Sequence, residues 1–203
     1  MGNHPEIIIT LVIFGLIGLL AFFILKKLAK LNKQKIKLFD ELAKKHNLSH
    51  TYDKNKKLNV LHQLKGKYKG YPIHIFEQME EQRKGQHLAT HIVFLDSPFN
   101  FEFTISKENL INKVEKKLNK QDVLFNDNAL DNTFWLKSND EIKFKRLLNT
   151  RKIEALKSIE NNLYFKIENK GNELSYTIYE NLYSPKAFKD LEFVMDFMVL
   201  LLK

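Results

Sequence analysis

The chain has 203 residues, a formal net charge of +9 and no cysteine. The absence of cysteine excludes thiol catalysis, cysteine-ligated zinc, iron–sulfur clusters and disulfides. Hydrophobic residues make up 44% of the chain and aromatic residues 12%, which excludes a mainly disordered protein. A folded domain with a core of its own is therefore expected.

The positive charge comes almost entirely from lysine. Of the 33 basic residues, only Arg83, Arg146 and Arg151 are arginine. Arginine recognises phosphates and bases better than lysine does, and nucleic-acid sites usually add exposed aromatic residues to it. Here the phenylalanines fall on apolar faces, so no nucleic-acid partner is expected.

The first element of the chain is an apolar run of nineteen residues without a charge, from Ile7 to Leu25. As a helix it would be about 28 Å long, close to the hydrocarbon thickness of a bilayer. A cleaved signal peptide begins with positive residues, and residues 1–6 contain neither lysine nor arginine. The pattern predicts an uncleaved transmembrane helix at 7–25 that follows a short extracytoplasmic tail at 1–6.

Lysines fix the expected orientation of this helix. Six of them follow the apolar run within twelve residues and none precedes it. The positive-inside rule then predicts a single-pass, N-out anchor in the cytoplasmic (inner) membrane, with the remainder of the chain in the cytoplasm. Lys26, Lys27 and Lys30 would lie within about 8 Å of the surface, so we expect them to contact the headgroups of anionic lipids.

Residues 26–47 predict a basic helical stalk that is continuous with the span, because they lack glycine and proline. Leu28, Leu31, Leu38 and Leu42 follow the spacing of a coiled coil, and Lys35 interrupts it. One interpretation is that this stripe, with Phe39 and Ala43, docks on the chain's own domain. The other is that two stalks pair to form a homodimer.

Residues 48–203 predict an α+β domain of mainly antiparallel sheet, because strands cluster without regular βαβ alternation. The most regular strand runs from Phe99 to Ile105, and Gly66 to Gly70 reads as a strand fragment and turn. The other expected strands are 71–79, 87–95, 134–137, 163–167 and 174–179, with a hairpin turn at 170–172.

Helices are expected between and after these strands. Ser106 is the expected N-cap of a helix that reaches Leu118, and a capping box from Ser138 to Glu141 opens the next one. A short helix follows at 152–159. Ser184 and Pro185 then start a C-terminal apolar helix, whose inward stripe consists of Leu191, Val194, Met195, Met198 and Leu202.

Two histidine pairs have the spacing of metal ligands: His46 with His50, and His87 with His91. The zincin pattern needs a glutamate directly after the first histidine, and neither pair has one. Ordinary surface or core histidines are therefore the preferred interpretation. The sequence also contains no GxSxG, GxxxxGK[ST] or GxGxxG motif, so no catalytic, cofactor-binding or metal-binding residue is predicted.

Several segments, in order, resemble a known group of proteins. They are FDELAKKHNL, GKYKGYPIHI, LDNTFWLKSNDEIKFKRLLN and a closing apolar helix. Over residues 39–203 this order resembles small bacterial membrane-anchored proteins that are classed as a domain of unknown function. An Asp-x-x-Phe segment, here Asp131 and Phe134, recurs in that group. The resemblance implies a shared fold and brings no functional residues.

These observations favour a membrane-tethered, non-enzymatic domain for interaction or scaffolding, whose protein partner the sequence does not specify. The alternative is a membrane-anchored enzyme with a site of scattered polar residues, in particular His74, His87, His91 and Glu77. A third hypothesis is an assembly subunit that associates through the stalk.

Overall fold

The structure is a computed structural model, and it describes residues 5–53, 60–82, 85–107, 123–159, 165–179 and 182–203, with side chains omitted at 5–12 and 82. Within these ranges a long helix precedes a series of strands and shorter helices. The elements are α1 (Pro5–His46), β1 (Ser49–Tyr52), β2 (His62–Tyr68), β3 (Tyr71–Gln82), β4 (Gly85–Leu95), β5 (Phe103–Lys107), α2 (Asn128–Thr133), β6 (Phe134–Ser138), α3 (Glu141–Leu147), α4 (Thr150–Ile159), β7 (Phe165–Lys170), β8 (Glu173–Ile178) and α5 (Pro185–Leu202).

The strands form one eight-stranded sheet in the order β1-β2-β3-β4-β8-β7-β5-β6. All neighbouring pairs are antiparallel. This confirms the predicted α+β class, a long N-terminal helix followed by an antiparallel sheet with packed helices. The first four strands follow the chain in order, and the chain then crosses to the far edge and returns through β7 and β8. The two halves of the sheet therefore meet where β4 pairs with β8.

The two faces of the sheet differ because side chains alternate along each strand. A continuous row of paired, fully buried residues crosses six strands on the inner face: Ile75, Ile92, Tyr176, Ile167, Ile105 and Leu136. The neighbouring row on the outer face is more polar, and consists of Phe76, His91, Thr177, Lys166, Ser106 and Trp135. The apolar inner face is the one that the helices cover.

The C-terminal part of α1 packs on this inner face beside β1, β2 and α5. Leu38, Phe39, Leu42 and Ala43 are all buried there, together with Lys35. Their spacing of three and four residues places them on one side of the helix. The structure shows that this C-terminal part of the predicted stripe docks on the chain's own domain, whereas Leu28 is exposed. Pairing of two stalks stays a prediction. The last turns of α1 are therefore part of the core.

The C-terminal helix α5 begins and packs as the sequence predicts. The hydroxyl of Ser184 accepts the backbone N–H of Ala187 at 3.1 Å, and Pro185 occupies the first turn. The five residues of the expected stripe are all buried. The helix packs against both α1 and α4, so it links the long N-terminal helix to the second half of the domain.

Two predicted boundaries around β5 are wrong. The strand begins at Phe103 instead of Phe99, because side chains take the place of ladder partners before it: Asn169 Nδ2 donates to the carbonyl oxygen of Phe101 at 2.6 Å, and Asn139 Oδ1 accepts the N–H of Glu102 at 2.8 Å. Ser106 lies inside β5, where it pairs with Trp135, and is not a helix cap. The predicted helix beyond it, to Leu118, lies outside the described residues.

The predicted capping box is also wrong in its details. Helix α3 is capped by Asp140, whose carboxylate accepts the N–H of Lys143 at 3.0 Å. Ser138 instead ends β6, accepting the N–H of Asp140 at 3.1 Å and donating to Glu102 O at 2.9 Å. The ends of the other strands differ from the predicted ends by one to a few residues. The hairpin turn between β7 and β8 contains Gly171, whose φ is +60°.

The predicted membrane span, Ile7 to Leu25, lies in the N-terminal part of α1, where side chains are described from Ile13 onward. In the described part of the chain, no helix has a stretch both long enough and apolar enough to cross a membrane. The transmembrane assignment stays a prediction.

Candidate functional site

An ion pair is buried where α1 meets the sheet. Lys35 Nζ lies 2.5 Å from Glu77 Oε1, and the two side chains are only 2% and 0% exposed. The other carboxylate oxygen of Glu77 accepts the backbone N–H of His62 at 3.1 Å. The ring of Tyr183 lies 5.2 Å from the ammonium and adds a cation–π contact. The charge on each side chain therefore has a partner.

Burial is the largest electrostatic influence on this pair. It raises the pKa of the Glu77 carboxyl above its usual value, and the Lys35 ammonium and the N–H of His62 offset only part of that rise. Removing two charges from water costs more than most ion pairs return, so such a pair is a weak source of net stability. The pair instead favours one position of α1 on the sheet, because in any other position each charge would be buried without a counter-ion.

A chain of side chains lies directly beside the ion pair. His50 Nδ1 is 2.6 Å from Asp40 Oδ1, and His50 Nε2 is 3.0 Å from His62 Nδ1. The ring of Phe39 stacks on His62 with 4.5 Å between centroids. Burial, with the nearby Lys35, lowers the pKa of His62 to about 3. Because an ionised carboxylate can only accept, His50 Nδ1 donates to Asp40.

Five charged or polar side chains thus form one cluster, which we call the junction network: Lys35, Asp40, His50, His62 and Glu77. Helix α1 supplies two of them on adjacent turns, and β1, β2 and β3 supply one each. Consecutive antiparallel strands bring the three strand residues to the edge of the sheet that α1 crosses. The network therefore ties the helix to three strands at once.

The predicted lipid contacts lie on the same helix, toward its N-terminus. Lys26, Lys27 and Lys30 are all exposed, and no carboxylate among the described residues pairs with them. Their exposure is compatible with contact to lipid headgroups, and the contact itself stays a prediction.

The members of the two predicted histidine pairs have different neighbours. His46 contacts Glu192 at 2.6 Å while His50 contacts Asp40, so the members of that pair have separate partners. His91 contacts Glu80 and Thr177, each at 3.1 Å, and His87 is exposed. Within the described ranges, no group of three or more histidine, aspartate or glutamate side chains is placed to hold a metal ion.

The residues of the alternative enzyme hypothesis do not share a pocket. His74 and His91 lie on the outer face of the sheet, on either side of the Phe76 ring at 4.7 and 4.8 Å. Glu77 is buried on the inner face in the pair with Lys35. His87 lines a separate cavity of about 260 Å³, which also reaches Lys35. The four side chains are thus divided between two faces.

Sequence reasoning missed the junction network. In the coiled-coil spacing Lys35 is an interruption of an apolar stripe, whereas in the structure it occupies a position that faces the core. Glu77 likewise follows Ile73 and Ile75 on the inward positions of its strand. The helical stripe of α1 and the alternation of β3 each require an apolar residue where the chain has a charge. These two opposite charges are the signal that could have identified the pair.

The motif residues behind the family resemblance have structural roles. The carboxylate of Asp131 accepts the backbone N–H of Phe125 at 3.0 and 3.2 Å, and Phe134 is buried in the core. The segment therefore shapes the turn before β6, and the resemblance itself stays a prediction.

Comparison with known proteins identifies a similar fold and no family. No protein-family model matches the chain, and no curated protein matches it. A similar solved structure is the crystal structure of the mycobacterial trehalose monomycolate transport factor A, TtfA. It has a TM-score of 0.52 and 13% sequence identity, over 84% of this chain and 94% of that one. At this identity the likeness shows a shared fold alone.

The ion pair can be tested by removing one charge and then both. We expect Lys35→Met to lower the free energy of unfolding by about 3–5 kcal/mol, because it leaves the Glu77 carboxylate buried without a counter-ion. The double variant Lys35→Met with Glu77→Gln should be more stable than Lys35→Met alone, since glutamine stays neutral and still accepts from His62. Chemical denaturation of the full chain in detergent, followed by the fluorescence of Trp135, measures these differences.

The matched control is Lys37→Met, on the same helix and exposed, where Lys37 is 3.6 Å from Glu41. It should change the free energy of unfolding by less than about 0.5 kcal/mol. Equal effects of the substitutions at positions 35 and 37 would contradict the role given to the ion pair.

The low pKa of His62 predicts a loss of stability in mild acid. Its pKa is about 3 in the folded protein against a usual 6.5. Between these values the unfolded chain binds a proton that the folded chain does not, so lowering the pH favours unfolding. From pH 7 to pH 5 the cost should approach about 2 kcal/mol.

The variant His62→Phe keeps a ring against Phe39 and removes the titrating group. Denaturation at several pH values should therefore give a shallower pH dependence for this variant than for the unaltered chain. Parallel pH profiles would show that His62 does not remain neutral in the folded state.

Proposed function

We propose that the chain is a membrane-tethered, non-enzymatic domain for interaction or scaffolding, anchored by α1 with the folded part in the cytoplasm. The observation that carries the proposal is an apolar surface on a helix that extends from the domain. From Ile13 to Leu25, the large apolar side chains are all at least 50% exposed. Soluble monomers rarely expose a contiguous apolar surface of this kind, and a lipid bilayer would cover it.

The lysines after this surface support the proposed orientation. Lys26, Lys27 and Lys30 are exposed at the end of the apolar run, where the positive-inside rule expects the cytoplasmic side. Each lysine near an anionic surface contributes on the order of 1 kcal/mol to binding. Together they favour anionic lipids around the anchor.

The way α1 enters the domain supports a positioning role. Lys35 lies nine residues after Lys26 on one continuous helix, which corresponds to about 14 Å. The domain is thus attached a short distance from the proposed membrane surface and without a flexible linker. A tether of this kind holds the domain in a defined place, as an interaction domain requires.

The other hypotheses receive less support. The candidate catalytic residues are dispersed over two faces of the sheet, so nothing in their geometry favours an enzyme. Pairing of two stalks would have to use surfaces other than Leu38 and Leu42, which are buried against the chain's own domain. The solved structure of similar fold is described as a transport factor, and its named substrate is not assigned to this chain.

The absence of cysteine allows a direct test of anchorage and orientation with single cysteines. We expect Asn3→Cys to react with a membrane-impermeant maleimide in intact cells, and Glu154→Cys to react after permeabilisation only. The chain should also remain in the membrane fraction after carbonate extraction, because a spanning helix is not released by alkali.

The chain without cysteine is the labelling control, and full reactivity of both cysteines in permeabilised cells shows that each position is accessible. Release of the chain by carbonate would disprove the anchor. Labelling of Glu154→Cys in intact cells would disprove the orientation and leave the anchor in place.

A further inference from the structure

One end of the domain lies far from the proposed membrane surface. Lys35 of α1 is beside Tyr183, and His46, at the end of α1, contacts Glu192 at 2.6 Å. Helix α5 therefore runs in the same direction as α1. It continues for ten residues beyond Glu192, to Leu202, which adds about 15 Å. The C-terminal end of α5 is thus the membrane-distal end of the domain.

A groove of about 500 Å³ opens at this distal end, between α4, α5 and the turn that joins β2 to β3. Four basic residues line it, and we call it the basic groove: Lys69, Arg151, Lys152 and Lys203. Phe193, which is 45% exposed, and Leu200 give the groove an apolar wall. It therefore combines positive charge with an apolar surface.

The charges in the basic groove are not balanced. Asp196 is the acidic residue among the lining side chains; it pairs with Lys69 at 2.6 Å and accepts the hydroxyl of Tyr68 at 2.5 Å. In the described part of the chain, neither Arg151 nor Lys203 has a carboxylate partner. Besides the pair of Lys69 with Asp196, the side chains of Arg151, Lys152 and Lys203 have no carboxylate side chain as a partner among the described residues.

Lys152 is the most unusual of these cations, because it is only 7% exposed. Its ammonium donates to the carbonyl oxygen of Leu201 at 3.2 Å, and no carboxylate in the described residues pairs with it. An ammonium has three donors, and a buried charge without a counter-ion is costly. Burial accordingly lowers its pKa. An anion bound in the groove would supply the missing partner.

We propose that the basic groove binds an acidic segment of a partner protein, with carboxylates beside Arg151, Lys152 and Lys203 and an apolar side chain against Phe193. The inference rests on the proposed function, since it names the kind of partner that a tethered interaction domain would recruit. The distal location disfavours a headgroup of the same membrane. The apolar wall disfavours a small inorganic anion, which would leave that wall uncovered.

The test uses the full chain in nanodiscs of zwitterionic lipid, so that anionic lipid does not compete. The probe is a short fluorescein-labelled peptide of alternating glutamate and leucine, and binding is followed by fluorescence anisotropy. We expect saturable binding that weakens about tenfold in the variant Arg151→Ala with Lys203→Ala, which corresponds to a loss of about 1.4 kcal/mol. Lys152→Met, which keeps the aliphatic stem, should weaken binding by a similar factor.

The matched control is Arg146→Ala with Lys186→Ala, which also removes one arginine and one lysine but from exposed positions outside the groove. It should leave the affinity within about twofold of the unaltered chain. Equal weakening by the control and groove variants would show non-specific attraction and overturn the proposal. Equal binding of a peptide with glutamine in place of glutamate would also overturn the proposal. Displacement of the peptide by inorganic phosphate at matched ionic strength would overturn it too.

These outcomes are separate from those for the anchor. Carbonate extraction and cysteine labelling should be unchanged in the groove variants. A chain that is anchored but does not bind the acidic peptide would disprove the groove and leave the proposed function standing.

Discussion

The buried pair of Lys35 and Glu77 is the constraint on which the arrangement of the long helix depends. Apolar packing around Phe39 would tolerate a small rotation or slide of α1, because dispersion contacts are not directional. A buried lysine that is separated from its carboxylate, in contrast, destabilises the fold by several kcal/mol. The pair therefore selects one register of α1 against β3, and the histidines of the junction network extend that selection to β1 and β2.

The sequence predicted the parts of the fold that depend on local patterns. The Ser184 cap of α5 and the docking of the α1 stripe from Leu38 to Ala43 were confirmed, because periodicity and capping are short-range effects. The predicted start of β5 was wrong because Asn169, which is distant in the sequence, donates to the carbonyl oxygen of Phe101. Lys35, Glu77 and Lys152 were missed for the same reason. The role of a charged side chain at an inward position depends on its partner, and the tertiary structure alone shows which residue that is.

Two ends of one domain thus carry different chemistry. Near the proposed membrane surface, α1 presents exposed apolar residues and then Lys26, Lys27 and Lys30, a combination suited to a bilayer with anionic headgroups. At the distal end, the basic groove combines cations with the exposed ring of Phe193. The helix α5 spans the distance between them, packed on both α1 and α4. Our proposals join these features: the first end anchors the domain, and the second binds an acidic partner.

We infer that the junction network fixes α1 rigidly to the sheet, so that the proposed anchor and the domain move as one body. The most direct measurement is a pulsed electron paramagnetic resonance distance between spin labels at Lys30→Cys on α1 and Lys65→Cys on β2, both exposed, in the otherwise cysteine-free chain. We predict a single narrow distance distribution that broadens when Lys35→Met is added. A broad distribution in the chain with Lys35 intact would contradict the account, because it would place a flexible joint where we infer a fixed one.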